Sequence, residues 1–203
     1  MNFSFSTNKL PQEFYSRHVT DVAKDLLGKV LCRTVSGQIL SGKIVEVEAY
    51  SKDGDEASHS FKEKNKRNSI MFEGGGILYV YLIYGIHFCM NIVTGDKNSG
   101  CAVLVRAVEP LTNIDIMMKN RFGEALPNDK SLAHATNGPA KLCKAFNVDL
   151  AQNGISLLSS EIYLTEGFEV SEDEIGNSKR VGISKSKELD WRFYLKGNRF
   201  VSK

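Results

Sequence analysis

Apolar and polar residues alternate most regularly in Ile44-Val45-Glu46-Val47-Glu48-Ala49-Tyr50. A period of two puts Val45, Val47 and Ala49 on one face of a strand, and Glu46, Glu48 and Tyr50 on the other. The pattern extends this strand over 39–50 and places another at 29–34. A short helix precedes them at 20–27, with Thr20 as N-cap, Val22, Leu26 and Leu27 on its apolar side, and Gly28 as its stop. The most apolar run, 77–93, carries His87 and Asn91 and is rich in β-formers. It therefore reads as a hairpin turning at Tyr84-Gly85, not as a membrane helix. Further strands are expected at 101–108, 161–165 and 191–196. A helix follows Glu109-Pro110 as far as Asn120, and another runs from Pro139 to Phe146. Residues 51–76 and 121–136 read as loops, the first long enough to suggest a functional role. Strands outnumber helices without βαβ alternation, so the fold class is α+β with an antiparallel sheet.

Composition narrows this picture. A chain of 203 residues with 42% hydrophobic and 25% charged residues fits one globular domain spanning 1–203. It excludes long disorder and an integral membrane protein. Cys32, Cys89, Cys101 and Cys143 show no CxxC pairing, so neither a structural zinc nor a disulfide framework is expected. The opening residues MNFSFSTNKLP carry no apolar signal core, so a cytoplasmic location is expected.

Charge is the next distinction. The formal net charge is only +2, yet residues 179–203 hold eight Lys and Arg against two acidic residues. Lys62, Lys64, Lys66 and Arg67 form a second basic cluster broken by Glu63. Two such patches suit a polyanion, and equally suit a solvated loop and tail.

Several residues could carry chemistry. Glu48, close to an aromatic ring, is a candidate general base; Glu46 competes with it, and a solvent-facing glutamate is the plain alternative. Tyr84, at a hairpin tip, is either a contact residue or packed on a neighbouring loop. Tyr79 and Tyr81 share one face of the first hairpin strand. Arg106, inside an apolar strand, needs acidic partners, whether structural or at a site. His59 lies in a polar loop, and the other histidines show no metal-ligand spacing.

These segments, in their order, resemble one family. DVAKDLLGKVL (21–31), IVEVEAY (44–50), DEASHS (55–60), RNSIMF (67–72), LYVYLIYGIHFCMNIV (78–93), VLVRAVEPL (103–111), NGPAKLC (137–143), RVGI (180–183) and WRFYLKG (191–197) are similar to those of the alkyladenine (3-methyladenine) DNA glycosylases. The resemblance implies a single compact domain, a curved antiparallel sheet with surrounding helices, and a protruding hairpin that intercalates into DNA. It implies hydrolysis of damaged purines from double-stranded DNA, at the nucleoid, with no metal and no organic cofactor; a monomer is expected because the sequence shows no interface signature, and no membrane partner is expected from the composition.

Residue by residue, the resemblance gives Glu48 as the base that activates water and Arg106 as the arginine that holds glutamate and water. Tyr50, His59 and Tyr81 become walls around the extruded base, with Tyr79 beside them. Asn91 becomes the gate against guanine, Val181 the backbone contact to the water, and Tyr84 the wedge. Lys62, Lys64, Lys66, Arg67, Lys179 and Arg180 become phosphate contacts. The alternative is a damage-binding protein that keeps the pocket without the chemistry.

Overall fold

The computed structural model describes residues 8–123 and 129–202. Along them the chain forms α1 (Gln12–Tyr15), α2 (Val19–Asp25), β1 (Val30–Val35), β2 (Gln38–Tyr50), β3 (Leu78–Ile83), β4 (His87–Thr94) and β5 (Cys101–Thr112). Then come α3 (Ile114–Phe122), α4 (Asp129–Ala133), α5 (Pro139–Ala145), β6 (Ile162–Thr165), β7 (Ile175–Ser178) and β8 (Arg192–Leu195). The architecture is α+β, and every strand pairing in its eight-stranded sheet is antiparallel.

The spine of the sheet is β2. One edge pairs with β5 from Ser41 to Tyr50. The other edge is shared: β1 takes Gln38 to Lys43, and β8 takes Glu46 to Glu48. The hairpin β3–β4 extends the sheet beyond β5, and β6 extends it beyond β1. On one face, Leu78, Val80, Met90, Ile92, Val103, Val105, Val47 and Ala49 meet the apolar sides of α2, α3 and α5 in the main core. That burial is what holds three short helices that could not stand alone.

The expected alternation holds in β2 except at one place. Ile44 and Val47 both enter the main core, whereas Val45 packs with Ala107 and Phe200 on the opposite face. The register explains this: Ile44 opposes Val108, Glu46 opposes Ala107 and Val47 opposes Val105, so Val45 and Arg106 are each skipped. The irregularity turns Val45 and Glu46 together toward the C-terminal segment. Bulges of this kind re-aim side chains beside functional sites.

Other expectations need correction. Thr20 lies inside α2, and His18 holds the cap position without a side-chain cap bond. Gly28 does end the turn after α2, at φ +85°, and a Cβ there would lie 2.4 Å from the Phe168 carbonyl oxygen. The strand expected at 101–108 runs on through Pro110 to Thr112. Pro110 pairs with Gly42 beside a register shift, where a missing N–H is tolerated. Within the expected loop 121–136, residues 129–133 form α4, while 124–128 lie outside the described residues. Residues 1–7 of the opening stretch and the final Lys203 also lie outside them. The four cysteines are free. Among the described residues no helix is long and apolar enough to cross a membrane.

Candidate active site

Opposite the main core, one row of paired residues crosses five strands. Tyr79 on β3 opposes Asn91 on β4, which opposes Leu104 on β5, which opposes Glu48 on β2, which opposes Arg192 on β8. Period-two alternation adds Tyr81 and Arg106 to the same side. A cavity of about 380 Å³ opens there, lined by Tyr50, His59, Tyr79, Tyr81, Asn91, Arg106 and Val181 among others. All the wall and gate residues expected from the sequence therefore converge on one cavity.

Glu48 sits just beneath it. The side chain is fully buried and is absent from the lining, but Tyr50, Arg106 and Val181, which do line the cavity, all hold it. The Val181 N–H donates to Oε1 at 2.7 Å, and Arg106 Nη1 lies 3.2 Å from the same oxygen. The Tyr50 hydroxyl donates to Oε2 at 2.8 Å. Burial, then the Glu48 charge, push the Tyr50 phenol far up, so this donor keeps its proton. Among the described residues Oε2 accepts from Tyr50 alone, which leaves it acceptor capacity.

Glu46 is different. Its Oε1 accepts from Arg106 Nε at 2.8 Å, Arg192 Nε at 2.7 Å and the Ser202 hydroxyl at 2.7 Å, and its Oε2 accepts from the Ser202 N–H at 2.6 Å. Burial pushes its carboxyl up, but the Arg106 charge and the bonds from Ser202 and Arg192 outweigh burial and leave it below the usual glutamate range. Three of these four bonds converge on Oε1. Arg192 and Ser202, which hold Glu46, do not line the cavity, whereas all three partners of Glu48 do.

The aromatic walls form a connected set. His59 Nδ1 shares a hydrogen bond with the Tyr79 hydroxyl at 3.0 Å, and its ring meets Tyr81 edge-on at 4.5 Å between centres. Burial, then the Arg67 charge, lower the His59 pKa, so the ring is neutral at pH 7. Burial pushes the Tyr79 phenol up to about 12. Asn91 Nδ2 donates to the Tyr79 carbonyl at 3.1 Å, which fixes the amide at the cavity wall.

Hairpin β3–β4 turns through Tyr84-Gly85-Ile86, where Tyr84 is 84% and Ile86 71% exposed. Tyr84 also holds φ +54°, an unfavourable backbone state for a bulky residue.

The basic residues divide. Lys62, Lys64, Lys66, Arg67 and Lys179 are exposed. Lys179 reaches Asp190 at 3.3 Å, and Arg67 lies 5.8 Å from the Tyr81 ring centre, at the cavity. Arg180 is not a surface residue, contrary to the phosphate-contact expectation. Its side chain is buried and grips Asp55 with two bonds of 2.6 and 2.7 Å, donates to the Ala49 carbonyl, and stacks 4.5 Å from the Tyr50 ring centre. A guanidinium enclosed in this way cannot reach a phosphate without losing its carboxylate.

Sequence reasoning missed Asp55, Arg192 and Ser202. Asp55 and Arg192 lie in quoted segments, but only the fold shows that Asp55 ties the 51–60 loop to the 179–186 loop, and that Ser202 returns to Glu46. Among the described residues no group of three His, Cys, Asp or Glu is placed to hold a metal ion.

Comparison with known proteins agrees with this arrangement. The description "Methylpurine-DNA glycosylase (MPG)" matches residues 13–199. A protein of Carboxydothermus hydrogenoformans named "Putative 3-methyladenine DNA glycosylase" is 46% identical over 195 residues, covering 96% of this chain and 98% of its own. Proteins of the same name from Clostridium novyi (45% identical; 96% and 98% covered) and Alkaliphilus oremlandii (43%; 96% and 99%) are similar to it as well. With 187 consecutive residues matched, and with both strands of the hairpin and every segment around the cavity inside the match, the chain belongs to the methylpurine-DNA glycosylase family.

Proposed function

We propose that the protein is a monofunctional DNA glycosylase that acts as a monomer on double-stranded DNA. It extrudes an alkylated or deaminated purine (3-methyladenine, 7-methylguanine, ethenoadenine or hypoxanthine) and hydrolyses its N-glycosidic bond with water activated by Glu48. One observation carries the reading: a buried carboxylate with an available acceptor site, held by a backbone N–H, an arginine and a phenol directly under an aromatic cavity.

The chemistry follows from the parts. Extruding a nucleotide costs a few kcal/mol, least where pairing is already damaged. Stacking on the cavity rings returns about 1–3 kcal/mol per base. A purine alkylated at N3 or N7 is cationic, and tyrosine faces attract it while the neutral His59 does not repel it. The water oxygen bonds to C1′, the glycosidic electron pair leaves with the base, and the water proton passes to Glu48 Oε2. The same oxygen accepts from the Tyr50 hydroxyl. Lys62, Lys64, Lys66, Arg67 and Lys179, all exposed, contact phosphates and make affinity fall with salt.

The test is single-turnover base release from duplexes that each carry one of the four lesions. Release leaving an abasic site, with no adduct trapped by borohydride, supports the reading. Tight lesion binding without release from any duplex would make the protein a damage binder instead.

Two substitutions probe the extrusion step. Tyr84→Ala removes an exposed ring without touching the core, so the melting temperature should stay within about 1 °C of the original. Extrusion, followed by a fluorescent base analogue, should fall by about tenfold or more, as expected for loss of one stacking ring. An unchanged flipping equilibrium would remove Tyr84 from the wedge role. Asn91→Ser shortens the gate side chain and should raise release of undamaged guanine by about tenfold, the range open to a single wall contact. Guanine release at the original rate would count against the gate.

A further inference from the structure

Glu46 is as buried as Glu48, carries four hydrogen bonds, and has no part in the reaction as derived so far. Burying a second carboxylate two residues from the first is costly unless the arrangement achieves something. We infer that Glu46 is a positioning residue: with Ser202 and Arg192 it fixes the Arg106 guanidinium so that one edge serves Glu46 and only Nη1 is left to Glu48. The inference rests on the glycosylase reading above.

The geometry is specific. Arg106 presents Nε to Glu46 at 2.8 Å, Nη1 to Glu48 at 3.2 Å and Nη2 to the Ser202 hydroxyl at 3.1 Å. The long member of the set is the one to Glu48. An arginine free to choose would take a carboxylate with both prongs; here Glu46 and Ser202 hold two of its three donor nitrogens. Arg192 reaches the same Glu46 oxygen and the Ser202 carbonyl, which closes the clamp. The bulge makes this possible, since Arg106 and Val45 are the skipped residues and Glu46 lies between them in the ladder. The cluster holds two carboxylates and two guanidiniums, and Glu48 has no close bidentate partner in it. Its acceptor oxygen is thus not quenched by the arginine that stabilises it.

Several charged or titratable groups act on Glu48. Arg106 on β5, Tyr50 and Glu46 on β2, Tyr81 on β3, Cys89 on β4 and Arg180 in the β7–β8 loop all face or influence it. Of these, Glu46 is the one whose removal frees Arg106 to turn fully to Glu48. Loss of its negative charge acts in the same direction. Both make Glu48 a weaker base.

The experiment is the pH profile of single-turnover hypoxanthine release by wild type, Glu46→Gln, Glu46→Asp and Ser202→Ala, with lesion binding and thermal unfolding measured alongside. Glu46→Gln should lose about 10–100-fold in the plateau rate, within the scale of general-base effects. Its acid limb should move to lower pH by about one unit, the shift expected when an arginine pairs more closely with a carboxylate. Lesion affinity should stay within about twofold. Glu46→Asp keeps the charge and should keep the limb in place. Ser202→Ala, which buries no unpaired charge, should give a smaller rate loss and shift of the same sign, and it carries the test if Glu46→Gln does not fold. A limb that stays put in both Glu46→Gln and Ser202→Ala, with or without a rate loss, overturns the inference. If wild type releases no base, the glycosylase reading fails instead, and the two failures are thereby distinguished.

Discussion

Glu48→Gln should abolish base release and leave lesion binding intact. The amide matches the carboxylate in shape, so its oxygen can still accept from the Val181 N–H and from Arg106. Its NH₂ then faces the Tyr50 hydroxyl, which can turn from donor to acceptor. The Tyr50 O–H loses its carboxylate acceptor, but Tyr50 lines the cavity, where that proton can turn to solvent, and the fold should survive. What is lost is the oxygen able to take a proton from water. Loss of general-base help predicts a rate decrease of about 10²–10⁴-fold, measured as single-turnover release from a 3-methyladenine or hypoxanthine duplex. Release at the wild-type rate would remove Glu48 from its role.

Asp55→Ala should have the largest effect on stability. It removes the carboxylate from a fully buried, two-bond ion pair and leaves the Arg180 guanidinium enclosed with, among the described residues, the Ala49 and Ser186 carbonyls as its acceptors. Breaking a buried pair from one side costs about 3–5 kcal/mol. For a chain of this size that is a drop of roughly 6–20 °C in melting temperature. Asp55 also accepts from the Ser51 and Ala57 N–H groups, so the loop that carries His59 should loosen with it. Activity should fall below the unfolding transition too, because Arg180 precedes the Val181 N–H that holds Glu48. Differential scanning calorimetry with a matched activity curve reads both effects. A melting temperature within about 1 °C of wild type would show that Arg180 finds other acceptors at little cost.

The elements that sequence revealed best are those governed by local rules. The alternation in 39–50, the β-rich run split at Tyr84-Gly85 and the Pro139 helix start all appear close to where they were expected. Elements decided by distant partners were less legible. Pro110 sits within a strand beside a bulge in β5 itself, where Leu111 is skipped between Pro110 and Thr112. Arg180 reads as one more cation in a basic tail, and only the return of the 51–60 loop makes it a buried clasp. The same holds for the two glutamates. Period two puts Glu46 and Glu48 in equivalent positions, and what separates them is the contact with Ser202 and Arg192 after a long excursion of the chain. The resemblance brought the cavity residues together as a set, but not the second layer that aims them.

That long excursion bears on how the protein comes into being. Val181 reaches Glu48 across 133 positions of sequence, and Ser202 reaches Glu46 across 156. Until β8 arrives, the edge of β2 at 46–48 lacks that neighbour, Glu46 lacks Arg192 and Ser202, and Glu48 lacks the Val181 N–H. Synthesis at about 5–20 residues per second delivers those residues only after about 10–40 s. A growing chain can thus display its hairpin and part of its basic surface well before it can cut a glycosidic bond. The two glutamates gain their full set of partners only after residues 181–202 have been made and β8 has closed on β2.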